Sequence, residues 1–394
     1  MRDHAVRLDR LLETHPDVVH VQGATEALIK RDELLVLGAH ADAVHESARQ
    51  WVDSREDFAE LGVARLRLRA GLRVDPASLV HELRGGAGAH RRMSVTPNHV
   101  LRGAPEVTGG PFGPPAPVAQ LAAPVLGPAT GRRAVVGILD TGIDPHPWFT
   151  GAPWYEGCTS DEYEVLDNAA DWELDSETGH GTFVAGVVLQ QAPNAYLRVE
   201  RVLGTDGIAD ELELLRGLAR LQARAAAGAD GLDVVNLSLG CFTFDDRPSP
   251  VLSKAVAHLA RHSVVVAAAG NDACDRPYWP AALKDVVAVA ALAADDGDGP
   301  ERASFSNYGW WVDAAAPGEK VASCFLTHGR ENGEDFHGYA TWSGTSFAAP
   351  YVAGRIAAMM ADKELTAHDA VRALLDPTGT HIPDLGVVVS ATAR

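Results

Sequence analysis

Beyond Arg132 the chain alternates short, largely apolar runs with longer amphipathic stretches. The runs are Ala134–Leu139, Leu197–Leu203, Asp233–Leu237, Val264–Ala269 and Val286–Ala290, each bounded by turn residues. Strands that are apolar throughout are buried on both faces, and helices between them make the sheet parallel. The pattern predicts an α/β domain: a doubly wound, mainly parallel sheet with helices on both faces. Ligands of such sheets bind at the carboxyl ends of the strands. Two polar positions, Asp140 and Asn271, each follow a predicted strand.

The first hundred residues carry a different pattern. Leu34–Gly38 is a short apolar run. Ala41–Trp51 places Ala43, Val44, Ser47, Ala48 and Trp51 at helical spacing, whereas Val63–Arg69 alternates with period two, as a half-exposed strand does. Asp75-Pro76-Ala77 sets a cap and a first-turn proline before a helix over Ser78–Arg84, and Met93–Thr96 reads as a last short strand. The result is a small β-α-β-α-β unit. Gly103–Pro128 then holds seven prolines and five glycines, the composition of an extended linker. The expected division is 1–102, a linker over 103–131, and the α/β domain over 132–394.

Composition narrows the function. A hydrophobic content of 46% with 22% charged residues is ordinary for a soluble globular chain. No apolar run reaches the roughly 18 residues of a membrane helix, so no membrane partner is expected. The first ten residues intersperse charge with apolar groups and lack the apolar core of a secretory signal, which makes a cytoplasmic location the expectation. The net charge is −19, nearly all of it beyond residue 130, which argues against nucleic acid and suits neutral or basic peptides. Cys158, Cys241, Cys274 and Cys324 show no metal or redox spacing. They read as free thiols, with a bridge between Cys241 and Cys274 left open.

Four motifs carry the chemistry: Asp140-Thr-Gly, Gly179-His-Gly-Thr, Ala269-Gly-Asn271 and Gly344-Thr-Ser346-Phe-Ala-Ala-Pro350. They supply a carboxylate, an imidazole, a side-chain amide and a hydroxyl. A serine hydroxyl is a poor nucleophile without an adjacent base, and an imidazole needs a carboxylate to hold its tautomer. The first three motifs are weak alone; Gly-Thr-Ser-x-Ala-x-Pro is strong, and the four in this order are stronger.

The order Asp, His, Ser is that of subtilisin. From Arg132 to its last helix the chain resembles the subtilisin-like serine proteases, the subtilases. The resemblance implies a serine endopeptidase in which Asp140, His180 and Ser346 form the triad and Asn271 donates to the oxyanion. It implies an extended protein or peptide substrate lying between Ser238-Leu239-Gly240 and Gly207-Ile208, with Ala268-Ala269-Gly270 lining the primary pocket. It also implies that the N-terminal unit is a ferredoxin-like prodomain, inhibitor and chaperone in one, whose tail Val95–Arg102 lies in the cleft of a zymogen with a limited processing role. The alternative is a catalytically silent scaffold whose cleft is filled by its own N-terminal domain. No cofactor is expected. Trp148 stands where many subtilases carry a calcium-binding aspartate, so calcium is not supported there. Tyr278 falls near the floor of the primary pocket and predicts a shallow one.

Overall fold

The structure, a computed structural model, describes residues 8, 11–21, 27–71, 75–85, 93–103, 113–127, 132–167, 174–227, 231–294, 297, 299–331 and 333–390. The N-terminal unit holds β1 (Val18–Val21), β2 (Ala27–Leu37), α1 (Ala41–Ala48), β3 (Val52–Phe58), β4 (Val63–Leu68), α2 (Pro76–Gly85) and β5 (Val95–Arg102). Its antiparallel sheet runs β3-β4-β2-β5. From β2 onward the order is β-α-β-β-α-β, the ferredoxin-like arrangement. Strand β3 departs from the β-α-β-α-β expectation. Val52-Asp-Ser-Arg-Glu-Asp-Phe58 buries only its two ends, and a charged edge strand has no apolar alternation to betray it. Helix α2 is capped as its sequence predicts, with Ser78 N–H donating to the Asp75 carboxylate at 3.0 Å.

The α/β domain holds β7 (Val135–Asp140), α3 (His180–Gln191), β8 (Tyr196–Arg201), β9 (Ile208–Asp210), α4 (Glu211–Ala227), β10 (Val234–Leu237), α5 (Pro250–Leu259), β11 (Val264–Ala268) and β12 (Val286–Leu292). It continues with β13 (Ala314–Pro317), β14 (Val321–Cys324), β15 (Tyr339–Trp342), α6 (Thr345–Lys363), α7 (Ala367–Leu374), β16 (His381–Ile382) and β17 (Gly386–Val388). The main sheet runs β16-β17-β13-β12-β11-β10-β7-β8 and is parallel except for β16–β17. Alternate residues of each strand face opposite layers. Val136 and Ile138 join Val184, Val188, Phe347 and Val352 of α3 and α6. Val135 and Leu139 join Leu214, Leu218, Leu252 and Val256 of α4 and α5. Each aliphatic side chain buried this way contributes about 1.5–3 kcal/mol.

Within the sheet β7 lies between β8 and β10, so the strand order reverses there. The reversal opens a crevice at the carboxyl ends of β7 and β10, where Asp140 and Ser238 lie. Part of the expected linker is ordered: Ala116–Pro117 forms β6, paired with β15. Proline, which cannot donate to a central ladder, is tolerated because β6 is the edge strand of its sheet. Residues 104–112 and 128–131 of that linker lie outside the described residues.

The two units share a sheet. Strand β5 pairs with β9 through Val100↔Asp210, Leu101↔Ala209 and Arg102↔Ile208. Leu35, Phe58 and Val63 pack with Leu212, Leu215 and Val251 at the starts of α4 and α5. The ion pair Arg84–Asp245 at 2.8 Å crosses the same boundary, as do the contacts of His99 with Glu211 at 3.1 Å and of His15 with Asp206.

Candidate active site

Asp140 ends β7 and His180 opens α3. Two glycines decide how closely these ends approach. Gly179, the cap of α3, has φ +87°, and a Cβ there would lie 2.3 Å from the Phe325 ring. A Cβ on Gly181 would lie 2.0 Å from the Gly142 carbonyl, so the first turn of α3 rests on the turn after Asp140. This brings His180 Nδ1 to 2.6 Å from Asp140 Oδ1, with both side chains fully buried. The same oxygen accepts Thr141 N–H at 2.8 Å. A carboxylate facing Nδ1 places the ring proton on that nitrogen and leaves Nε2 as the base. The ring is enclosed by Trp342 and Phe347, with centroids at 5.5 and 5.4 Å.

Ser346 is the second residue of α6, whose cap is Gly344. A helix start presents unpaired N–H groups and the positive end of the dipole to developing negative charge. Pro350 has a local effect. Lacking an N–H, it cannot bond the Ser346 carbonyl four residues back. Ser238 replaces it, its hydroxyl donating to Ser346 O at 2.7 Å while accepting from Asn236 Nδ2 at 2.9 Å. The Ser346 hydroxyl donates to Ser238 O at 3.3 Å. His180 Nε2 has no hydrogen-bond partner among the described residues, so the serine–histidine bond is not made in this arrangement.

Asn271 is oriented by its own neighbours. Its Oδ1 accepts both the N–H and the hydroxyl of Thr345, each at 2.9 Å. Since Thr345 N–H can only donate, that side of the amide is the oxygen and Nδ2 faces away from it. The Thr345 hydroxyl in turn accepts Gly270 N–H at 3.1 Å.

A family model described as the subtilase family matches residues 131–387. The chain belongs to that family. It is 36% identical to a thermophilic serine proteinase of Bacillus sp. (strain AK1) over 241 residues, 58% of this chain and 52% of that one. It is 34% identical to subtilisin BL of Lederbergia lenta over 266 residues, 64% of this chain and 86% of that one. The chain thus spans about half the length of the first of these relatives. Fervidolysin from Fervidobacterium pennivorans, described as a keratinolytic enzyme related to subtilisin, superposes with a TM-score of 0.63 at 20% identity. That superposition covers 92% of this chain and 60% of fervidolysin, a likeness of fold.

In this subtilase both expected edges of the cleft carry chain between them. Arg102 N–H donates to Gly240 O and Gly240 N–H to Arg102 O, both at 2.9 Å, while Gly103 N–H donates to Gly207 O at 2.8 Å. Ile208 lies opposite Arg102. The side chains of Leu239, Ala268 and Ala269 belong to the core clusters, Leu239 and Ala269 to the one that also holds Leu101 of β5. Tyr278 is buried against both walls. Its hydroxyl donates to Gly240 O at 2.8 Å, and a Cβ on Gly240 would lie 2.4 Å, one on Gly270 3.1 Å, from its ring. Trp148 packs edge-on to His146 and beside Tyr339. All four cysteines are free, and burial pushes the Cys241 and Cys324 thiols up.

Sequence reasoning singled out neither the Ser238 hydroxyl's bond to the Ser346 carbonyl nor Glu164, whose Oε1 accepts Gly179 N–H at 2.9 Å. The proline four residues after the serine was a usable signal for the first. Glu164 sits in an acidic loop with none.

Proposed function

We propose that this subtilase is a serine endopeptidase acting through Asp140, His180 and Ser346. The observation that carries the reading is His180, tied to Asp140 at 2.6 Å on one nitrogen and without a partner on the other. A turn about the Ser346 Cα–Cβ bond takes its hydroxyl from the Ser238 carbonyl toward Nε2. His180 then removes the proton as the serine oxygen attacks the peptide carbonyl, and later delivers it to the leaving amine. Asp140 remains ionised and steadies the imidazolium. Asn271 Nδ2 and the backbone N–H of Ser346 stabilise the oxyanion. Water opens the acyl-enzyme by the same steps in reverse.

The N-terminal unit is read as an inhibitor in cis within a zymogen of limited processing role. Its strand β5 and Gly103 engage both cleft edges as an extended substrate does, by strand addition. His99 meets Glu211 in a buried pair, and acidic residues at the rim hold the unit: Asp206, Asp245 and Asp272 face His15, Arg84 and Arg102. Such part-exposed pairs weaken as salt shortens the screening length. Hydrolysis of a small peptide by the intact chain is therefore expected to rise between 0.05 and 0.5 M salt, on the order of several-fold, and Arg84→Ala should reproduce the rise at low salt. Initial rates across a salt series check this, and a flat series contradicts it.

Tyr278 supports a shallow primary pocket that takes small residues. Tyr278→Gly removes the ring from between Gly240 and Gly270. It should raise kcat/KM for a Phe or Tyr before the cleaved bond by at least roughly 10–200-fold, the range set by one methylene in an apolar pocket. Cleavage profiling with a peptide library checks both chains. A wild type that already prefers aromatic residues would contradict the reading.

One observation favours peptide binding without turnover: Ser346 Oγ faces Ser238 O rather than His180. A fluorophosphonate separates the readings, since only an activated serine reacts with it.

A further inference from the structure

We propose that Glu164 is a positioning residue that fastens the Asp140 turn to the His180 turn; the inference rests on the endopeptidase reading. Its carboxyl group meets the His180 turn and its main chain meets the Asp140 turn. Oε1 accepts Gly179 N–H, immediately before His180, at 2.9 Å. Thr141, immediately after Asp140, ties the same two turns. The Thr141 hydroxyl accepts Gly181 N–H, immediately after His180, at 3.0 Å. Glu164 N–H donates to Ile143 O at 3.1 Å, so the main chain beside this acid is also stitched to the Asp140 turn.

These contacts explain a carboxyl group in an otherwise unfavourable place. No Lys, Arg or His pairs with Glu164 among the described residues, and Oε2 has no partner there. The charged groups that bear on it are Asp140 and Asp144, both carboxylates. Glu164 is half-buried, with its Oε2 shut off from solvent, and a carboxyl group so enclosed beside carboxylates and without a cation is costly. Burial is the main cause, with the like charges adding to it, that pushes its pKa up to about 8, so the group is neutral at pH 7. A neutral acid can brace the two turns without placing a second negative charge beside the imidazole. The start of α3 also needs such an acceptor, because the first N–H groups of a helix have none within it.

The test uses the full chain and two substitutions. Glu164→Gln keeps an acceptor oxygen and stays neutral at every pH; Glu164→Ala removes the brace. Expected is a kcat near wild type for Glu164→Gln at pH 7. For Glu164→Ala a fall of about 10²-fold with little change in KM is expected, the scale of a displacement near 1 Å. Equal kcat in Glu164→Ala and wild type overturns the inference, as does an equal loss in both variants. If Glu164→Ala does not fold, the glutamine variant decides. Above about pH 8 only wild type gains a charge beside Asp140, so its kcat must fall relative to the variant; superposed profiles overturn the inference. The proton resonance of His180 Nδ1 needs no turnover. It should move in Glu164→Ala and stay in Glu164→Gln. A wild type that neither hydrolyses peptides nor takes fluorophosphonate, yet shows that resonance pattern, would end the endopeptidase reading and leave the brace standing.

Discussion

Ser346→Ala is expected to lower kcat by about 10⁶-fold, the loss measured when the same member of the triad is removed from subtilisin. The fold should survive, because the hydroxyl gives up only one hydrogen bond, to Ser238 O at 3.3 Å. The Ser346 carbonyl keeps its bond from the Ser238 hydroxyl at 2.7 Å. Melting temperature and far-ultraviolet dichroism should therefore match wild type while peptide hydrolysis disappears. A residual rate of about 10³–10⁴ over water is expected where the oxyanion donors and substrate binding remain. Retention of even a hundredth of the wild-type rate, with contamination ruled out by active-site titration, would mean that another nucleophile does the work.

Asn271→Asp should cost about 10²–10³ in kcat, or more, with KM little changed; that range comes from subtilisin, whose asparagine has the corresponding role. The aspartate is chosen for geometry. It keeps an oxygen for the N–H and hydroxyl of Thr345, both at 2.9 Å in wild type, and replaces only the outward NH₂ with an acceptor. Asn271→Leu loses the donor too, but leaves two buried Thr345 donors unsatisfied, at about 1–3 kcal/mol each. Its melting point should drop, whereas that of the aspartate variant should hold. Steady-state kinetics on both, beside their melts, separates the oxyanion role from a structural one. Full kcat in Asn271→Asp would remove Asn271 from the mechanism.

Much of the α/β core was legible because its strands are apolar on both faces. Val264-Val-Val-Ala-Ala268 and Val286–Leu292 offer no other reading. Ala314-Ala-Ala-Pro317 escaped notice although it is central enough to pair with β12 and β17. Alanine and proline are poor strand formers, and only the tertiary context makes a strand there. Strand β3 escaped for the opposite reason, its interior being charged. Strand β5 is longer than the apolar signal of Met93–Thr96. Pro97, Asn98 and His99 look like a turn, yet they are buried between β2 and the start of α4, where Asn98 Oδ1 accepts Leu212 N–H at 3.4 Å and His99 meets Glu211. The motifs indicated which side chains converge, since their glycines carry the close approaches of Gly179 and Gly181. They could not indicate how those side chains are held. Ser238, Thr345 and Glu164 act through hydrogen bonds between segments far apart in the chain, and no local pattern encodes such a pair.

The account rests on an activated Ser346, and the most direct measurement is the site of covalent modification. Intact protein is incubated with a fluorophosphonate at low and raised salt, digested, and the adduct mapped by mass. The account predicts one adduct, on Ser346, forming faster as salt loosens the N-terminal unit and absent after His180→Ala. No adduct on Ser346 under any of these conditions, including after residues 1–102 are removed, or an unchanged rate in His180→Ala, would contradict it.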